Sequence, residues 1–205
     1  MQIDHTQIDH HLYEIQLHDF LNPSHEISSL LEQHQSWSFR TNTSVVPDNP
    51  YPGQIGNFEN FQAHPLLKQY LEQFTNKTRD QLFDILLDNE IFVSMHKEKT
   101  KEWMLKNVIL TCNFYVVLAN YGIDYDMHVD CPLDKTIALG LIYFVHENDP
   151  GRSTIFRDWG NQHNIVISTG YRCGWLLVNS DRSLHKTCNT SNQNRYGMKF
   201  QIFIK

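Results

Sequence analysis

A chain of 205 residues that is 40% hydrophobic, with 12 Phe, 9 Tyr and 4 Trp, has the size of one domain and enough apolar side chains for a substantial core. Seventeen basic against 23 acidic side chains give a net charge of −6, which argues against nonspecific nucleic-acid binding, since that needs a basic surface. No apolar run reaches the length of about 18 residues that a membrane span needs. The first residues also lack the basic start and apolar stretch of a secretory signal, so a cytoplasmic, intracellular protein is expected.

In chain order, Leu12 to Leu17 alternates weakly and predicts a short strand carrying Tyr13, Ile15 and Leu17. His5, His10 and His11 fall beside it, where a solvated terminus is expected. Asn22 as N-cap with Pro23 in the first helical position predicts a helix start, and Ile27, Leu30 and Leu31 supply its apolar stripe. Residues 41–56 hold three prolines and two glycines and read as a loop, long enough to be functional, with Tyr51 suited to a lid. From Leu66 to Leu87 the spacing of Leu67, Tyr70, Leu71, Phe74, Leu82, Phe83 and Leu86 predicts helix.

Near Asn107 the pattern changes to short strands rich in β-branched and aromatic residues. These run from Val108 to Leu118, Ile137 to Val145, Ser153 to Phe156, Ile165 to Ile167, Trp175 to Val178 and Tyr196 to Ile204. The turns between them suggest an antiparallel sandwich or barrel. The expectation is therefore a mainly β chain with supporting α-helices, a single domain over 1–205. Residues 1–106 would be the N-terminal strand and helical support, and 107–205 the β core. None of Cys112, Cys131, Cys173 and Cys188 sits in a C-x-x-C pair, so each is expected to be a reduced thiol.

The residues that point to chemistry are His128-Val129-Asp130, then His185, then Arg195. On a strand, His-x-Asp puts both side chains on one face, because side chains alternate with period two. A distant histidine can complete a two-histidine, one-carboxylate set that leaves the opposite coordination positions open, an arrangement suited to non-haem Fe(II). An arginine ten residues after His185 can hold the far carboxylate of a 2-oxo acid. Alternation along the last strand puts Arg195, Gly197, Lys199 and Gln201 on one face and Tyr196, Met198, Phe200 and Ile202 on the other.

Plainer readings stand beside these. In a chain with 12 histidines an ordered match is easy to find, and Arg195 could form a surface salt bridge. Tyr121 and Tyr125 could be packing residues, and His146 and His163 read as surface turns.

The C-terminal half, from about Val108 onward, resembles the double-stranded β-helix core of the 2-oxoglutarate and Fe(II)-dependent dioxygenases. It is most similar to the prolyl-hydroxylase branch, including the oxygen-sensing members. The resemblance rests on Tyr125-Asp126-Met127-His128-Val129-Asp130, Leu141-Ile142-Tyr143-Phe144, Gly151-Arg152-Ser153-Thr154-Ile155-Phe156, Trp175 to His185 and Arg195-Tyr196-Gly197-Met198, in the family's order. It implies a jelly-roll core packed on N-terminal helices, with His128, Asp130 and His185 as iron ligands. Arg195 would pair with the distal carboxylate of 2-oxoglutarate, and Tyr121 would lie near that co-substrate. A second tyrosine that assists the arginine in oxygen-sensing members aligns with Phe144, which has no hydroxyl. Tyr143 is expected on the opposite face, with Tyr115 or Lys199 as substitutes.

The activity implied is a hydroxylase using Fe(II), 2-oxoglutarate and O2, with proline in a peptide or protein as the first substrate class and a free amino acid or other small metabolite as the alternative. A non-catalytic metal- or ligand-binding module and an interaction protein working through its helical half are the competing classes. The expected partners are a peptide, protein or small-molecule substrate, with no nucleic acid and no membrane.

Overall fold

The computed structural model describes residues 1–18, 27, 29–31, 38–40, 55–57, 65–117, 127–129, 135–144, 151–168 and 170–205. In chain order the strands are β1 (Gln2–Asp9), β2 (Leu12–His18), β3 (Ser38–Arg40), β4 (Ile55–Asn57), β5 (Val108–Val117), β6 (Thr136–Phe144), β7 (Arg152–Arg157), β8 (Asn164–Ser168), β9 (Tyr171–Val178), β10 (His185–Asn189) and β11 (Arg195–Ile204). Helices α1 (Pro65–Leu87), α2 (Glu90–Met95) and α3 (Lys101–Asn107) fall between β4 and β5. Residues 27 and 29–31 are also helical.

Hydrophobic periodicity explains how these elements sort. The strands form a large sheet in the order β1-β2-β9-β6-β11-β5-β4-β3, and a small sheet in the order β10-β7-β8; every pairing is antiparallel. β6 is buried at all nine positions because both of its faces are covered. Ala138, Ile142 and Phe144 join the core beneath α1, whereas Leu139, Leu141 and Tyr143 join Phe156 and Ile167 of the small sheet. β9 divides in the same way, Leu176 and Val178 to the helix side and Trp175 and Leu177 to the inter-sheet side. α1 presents Leu67, Tyr70, Leu71, Phe74, Leu82, Phe83 and Leu86 to the large sheet, with Phe74 and Phe200 ring centroids 5.4 Å apart.

The strands expected between Val108 and Ile204 and the long helix ending at Leu87 are present. The first half is more strand-rich than its sequence suggests. β1 and β2 form a hairpin that extends the large sheet through β2–β9, and β3 and β4 extend its other edge through β4–β5. Ile55 and Gly56, expected in the loop, belong to β4. Asn22, Pro23 and residues 41–54, including Tyr51, lie outside the described residues; Ile27 and Leu31 are buried.

His11 also departs from expectation, being fully buried instead of solvated. Its Nδ1 lies 2.9 Å from Asp9 Oδ2, and its ring is tilted on Trp159 at 5.3 Å. Asp9 Oδ2 accepts the Trp159 N–H at 2.7 Å, tying the β1–β2 turn to the β7–β8 turn. Asn89, 1% exposed, ties the same turn to α2. It caps that helix by accepting from Phe92 N at 2.9 Å and donates to His10 O and Tyr13 Oη, each at 2.8 Å.

Two predictions follow from this packing. Gly174 pairs with Ile142, and a Cβ at Gly174 would overlap the Leu141 carbonyl, so only glycine permits the β6–β9 approach. Gly174→Ala is expected to lower the unfolding free energy by about 3 kcal/mol, read as a lower urea midpoint. An unchanged midpoint would show that the strands separate there at no cost.

The second concerns His11, whose pKa burial holds below the ordinary 6.5 despite the opposing Asp9 carboxylate. The unfolded chain therefore binds more protons between the two values, and stability rises with pH through that window. Stability is expected to be full above 6.5 and to fall as pH drops through the folded pKa. His11→Phe should flatten that part of the profile in denaturant titrations at several pH values; a profile identical to wild type would refute the assignment.

Candidate functional site

Between the two sheets Leu139, Leu141 and Tyr143 of β6, Trp175 and Leu177 of β9, and Phe156 of β7 pack into a second buried cluster, the inter-sheet layer. His185 enters it as the first residue of β10, 5% exposed. A polar turn sets its position. Asn179 Nδ2 donates to Thr136 O at 2.8 Å; Ser183 Oγ accepts from Ser180 N at 3.1 Å and lies 2.7 Å from Ser180 O. This arrangement aims Ser183 O at His185 Nδ1, 3.1 Å away. A carbonyl oxygen only accepts, so Nδ1 carries a proton, which leaves Nε2 as the ring nitrogen that would ligate a metal. The His185 ring stacks on Phe156 at 6.0 Å and tilts against Trp175 at 5.8 Å.

His128 meets His185 across an isolated antiparallel bridge and not, as expected, on a named strand. The two backbones exchange both hydrogen bonds, His128 N to His185 O at 3.0 Å and His185 N to His128 O at 2.9 Å. Their ring centroids are 4.8 Å apart, with His128 exposed and His185 buried. Asp130, the expected third member, lies outside the described residues, as do Tyr121, Tyr125, Cys131 and His146. Among the described residues no group of three His, Cys, Asp or Glu side chains gathers in a metal-binding arrangement.

Arg195 is fully buried, which overturns the surface salt-bridge reading. Its Nη1 donates to Ser153 O at 2.9 Å and its Nη2 to Thr187 Oγ1 at 3.2 Å; the guanidinium carbon sits 5.5 Å from the Tyr143 ring centre. The expected sorting of β11 holds, since Tyr196, Met198, Phe200 and Ile202 all enter the helix-side core.

The tyrosine assignment needs correction. Phe144 packs in the helix-side core with its ring 6.0 Å from that of Phe114, while Tyr143 faces the inter-sheet layer. The cause is register: Gly197 pairs with Tyr143, so Tyr143 shares the face on which Arg195 and Gly197 lie. Tyr143 Oη lies 2.5 Å from Thr154 Oγ1 and accepts the Trp175 indole N–H at 3.2 Å. A phenol therefore stands beside Arg195 on this face.

Sequence reasoning missed Trp175, Thr154 and Thr187 as partners of Tyr143 and Arg195, although strand alternation with Phe156 and His185 was a usable signal for the threonines. Arg152, 3% exposed, shares the Thr154 and Phe156 parity on β7 and donates to Asn194 O at 3.4 Å. His163 is exposed, as expected.

No protein-family model matches the chain, and no curated protein matches it in sequence. Solved structures do match. A Pseudomonas putida prolyl-4-hydroxylase shares 12% identity with a TM-score of 0.60, over 96% of this chain and 94% of that one. A prolyl hydroxylase from Trichoplax adhaerens, solved with a hypoxia inducible factor oxygen degradation domain peptide fragment, shares 15% identity with a TM-score of 0.64, over 95% and 84%. An oxidoreductase of the 2OG-Fe(II) oxygenase family from Burkholderia pseudomallei shares 11% identity with a TM-score of 0.56, over 93% and 84%. At these identities the likeness is one of fold, and this chain has the double-stranded β-helix fold of the prolyl hydroxylase-like 2OG-Fe(II) oxygenases.

Proposed function

We propose that this protein is an Fe(II)- and 2-oxoglutarate-dependent dioxygenase that hydroxylates a C–H bond. The observation that carries the reading is the His128–His185 bridge, which sets two sequence-distant imidazoles side by side at the edge of the inter-sheet layer, where the buried Arg195 lies beside Tyr143. His128, His185 and Asp130 would hold the iron, and the His185 Nδ1–H bond, which leaves Nε2 for the metal, suits that role. Bound iron would supply the reaction with O2 that couples decarboxylation of 2-oxoglutarate to hydroxylation of substrate.

The chain's own residues orient and exclude. Arg195 and Tyr143 offer donors for the distal carboxylate, and Phe156, Leu139, Leu141 and Leu177 surround them with apolar side chains that would exclude water. Tyr121 remains a candidate neighbour of the co-substrate. Residues 1–205 are taken as one domain, with 1–106 supporting the 107–205 core. Sheet continuity supports this, because β1–β2 and β3–β4 flank the core strands.

A prolyl residue in a peptide or protein is the proposed substrate class, supported by the prolyl hydroxylases that share the fold and by the peptide held by one of them. A free amino acid or other small metabolite is the alternative, and succinate release with proline-containing peptides against free amino acids decides between them. No helix among the described residues is long and apolar enough to cross a membrane. Cys112, Cys173 and Cys188 are free thiols, which supports an intracellular setting.

Anaerobic titration of the apo-protein with Fe(II), then 2-oxoglutarate, is expected to produce the weak visible charge-transfer band of an iron-chelated 2-oxo acid. His185→Ala should abolish the band. Arg195→Ala should retain Fe(II) binding but need on the order of 100-fold more 2-oxoglutarate, since about 3 kcal/mol of charge-assisted hydrogen bonding is lost. A folded wild-type protein that gives no band would overturn the oxygenase reading in favour of a non-catalytic module.

A further inference from the structure

We propose that Trp175 is a positioning residue for the co-substrate, fixing through its indole N–H the direction in which Tyr143 presents its proton. The inference rests on the oxygenase reading above and extends it to a residue outside the expected ligand set.

An indole N–H donates and never accepts. Trp175 Nε1 lies 3.2 Å from Tyr143 Oη, so the phenol oxygen must be the acceptor of that bond. The phenol proton is thereby directed away from Trp175; the Tyr143 hydroxyl also pairs with Thr154 Oγ1 at 2.5 Å, a bond in which either oxygen can donate. Thr154 pairs directly with Thr187 across β7 and β10. Thr187 Oγ1 in turn takes a hydrogen bond from Arg195 Nη2 at 3.2 Å.

The Tyr143 hydroxyl and the Arg195 guanidinium are thus each paired with the hydroxyl of one of two cross-strand neighbours. A carboxylate has two oxygens and is a stronger acceptor than a hydroxyl, so it can take both donors from these partners without either side chain crossing the inter-sheet layer. Without the Trp175 bond, the Tyr143 hydroxyl is free to turn its proton elsewhere, and each binding event must reorder it.

Trp175 is 4% exposed and packs its ring edge-on to Phe156 at 5.0 Å and against His185 at 5.8 Å. Trp175→Phe keeps an aromatic ring at both contacts and removes only the N–H and part of the bulk. The variant is therefore expected to preserve the Fe(II) affinity, at a modest cost in thermal midpoint from the lost bulk, while weakening 2-oxoglutarate binding by roughly threefold to tenfold, the range for one neutral hydrogen bond. Tyr143→Phe should weaken binding at least as much. Combining the two should add no further loss, because the tryptophan acts through the phenol.

A second measurement needs no ligand. In a 15N-labelled apo-protein the Trp175 indole resonance, assigned by its absence in Trp175→Phe, should shift upfield in Tyr143→Phe, where its acceptor is gone. It should move again when 2-oxoglutarate is added to the Zn(II)-loaded wild type. Additive losses in the double variant would overturn the proposal, as would an indole resonance indifferent to Tyr143→Phe. So would 2-oxoglutarate binding by Trp175→Phe within experimental error of wild type. A folded wild type that binds metal but no 2-oxoglutarate would sink the oxygenase reading and this proposal together, whereas normal wild-type binding with an unaffected Trp175→Phe sinks this proposal alone.

Discussion

The organisation of this protein depends on the centre of its large sheet, where β6 is buried on both faces. β6, β9 and β11 must each send alternate residues to an α1-covered core and to the inter-sheet layer, so their side-chain parity is fixed. A one-residue slip of β11 against β6 would turn Arg195 toward the apolar helix-side core, where desolvation of a guanidinium is costly. The apolar side therefore determines where the polar chemistry stands. Gly174 and Gly140 allow the close β6–β9 approach, since a Cβ at either would meet backbone carbonyls of the paired strand.

Much of this was legible because the informative strands carry contrast. β11 alternates Arg195, Gly197 and Lys199 with Tyr196, Met198 and Phe200, so its faces could be assigned from the sequence and the structure agrees. β6 has no such contrast. In Thr136–Phe144 every position is buried, and Tyr143 beside Phe144 offers two aromatic residues of opposite parity with nothing local to choose between them. The choice is made by the pairing of Gly197 with Tyr143, a long-range fact that sequence periodicity does not contain.

β1 fails for the opposite reason. Its polar run from Asp4 to Gln7 reads as a solvated tail, yet an edge strand needs little apolar content when its partner supplies the ladder, and Ile3 alone is buried. His11 was hidden too, because its burial arises from Trp159, about 150 residues away in sequence.

The spacing of polar groups along β10 and β7 bears on which 2-oxo acid the proposed site suits. His185 and Thr187 are two residues apart on one strand face, as are their paired residues Phe156 and Thr154. At the rise of an antiparallel strand this separates the two levels by roughly 7 Å. Thr187 and Thr154 mark the level at which Arg195 and Tyr143 present donors, and His185 marks the level of the proposed metal. In an extended five-carbon diacid the carboxyl carbons lie roughly 5 Å apart, from four C–C bonds projected on the chain axis. With a metal bond at one end and a hydrogen bond at the other, such a molecule reaches both levels. On the proposed oxygenase reading, a three-carbon 2-oxo acid held beside His185 would leave Arg195 without a carboxylate, so the two-residue step between the levels suits a five-carbon dicarboxylate better than a pyruvate-sized acid.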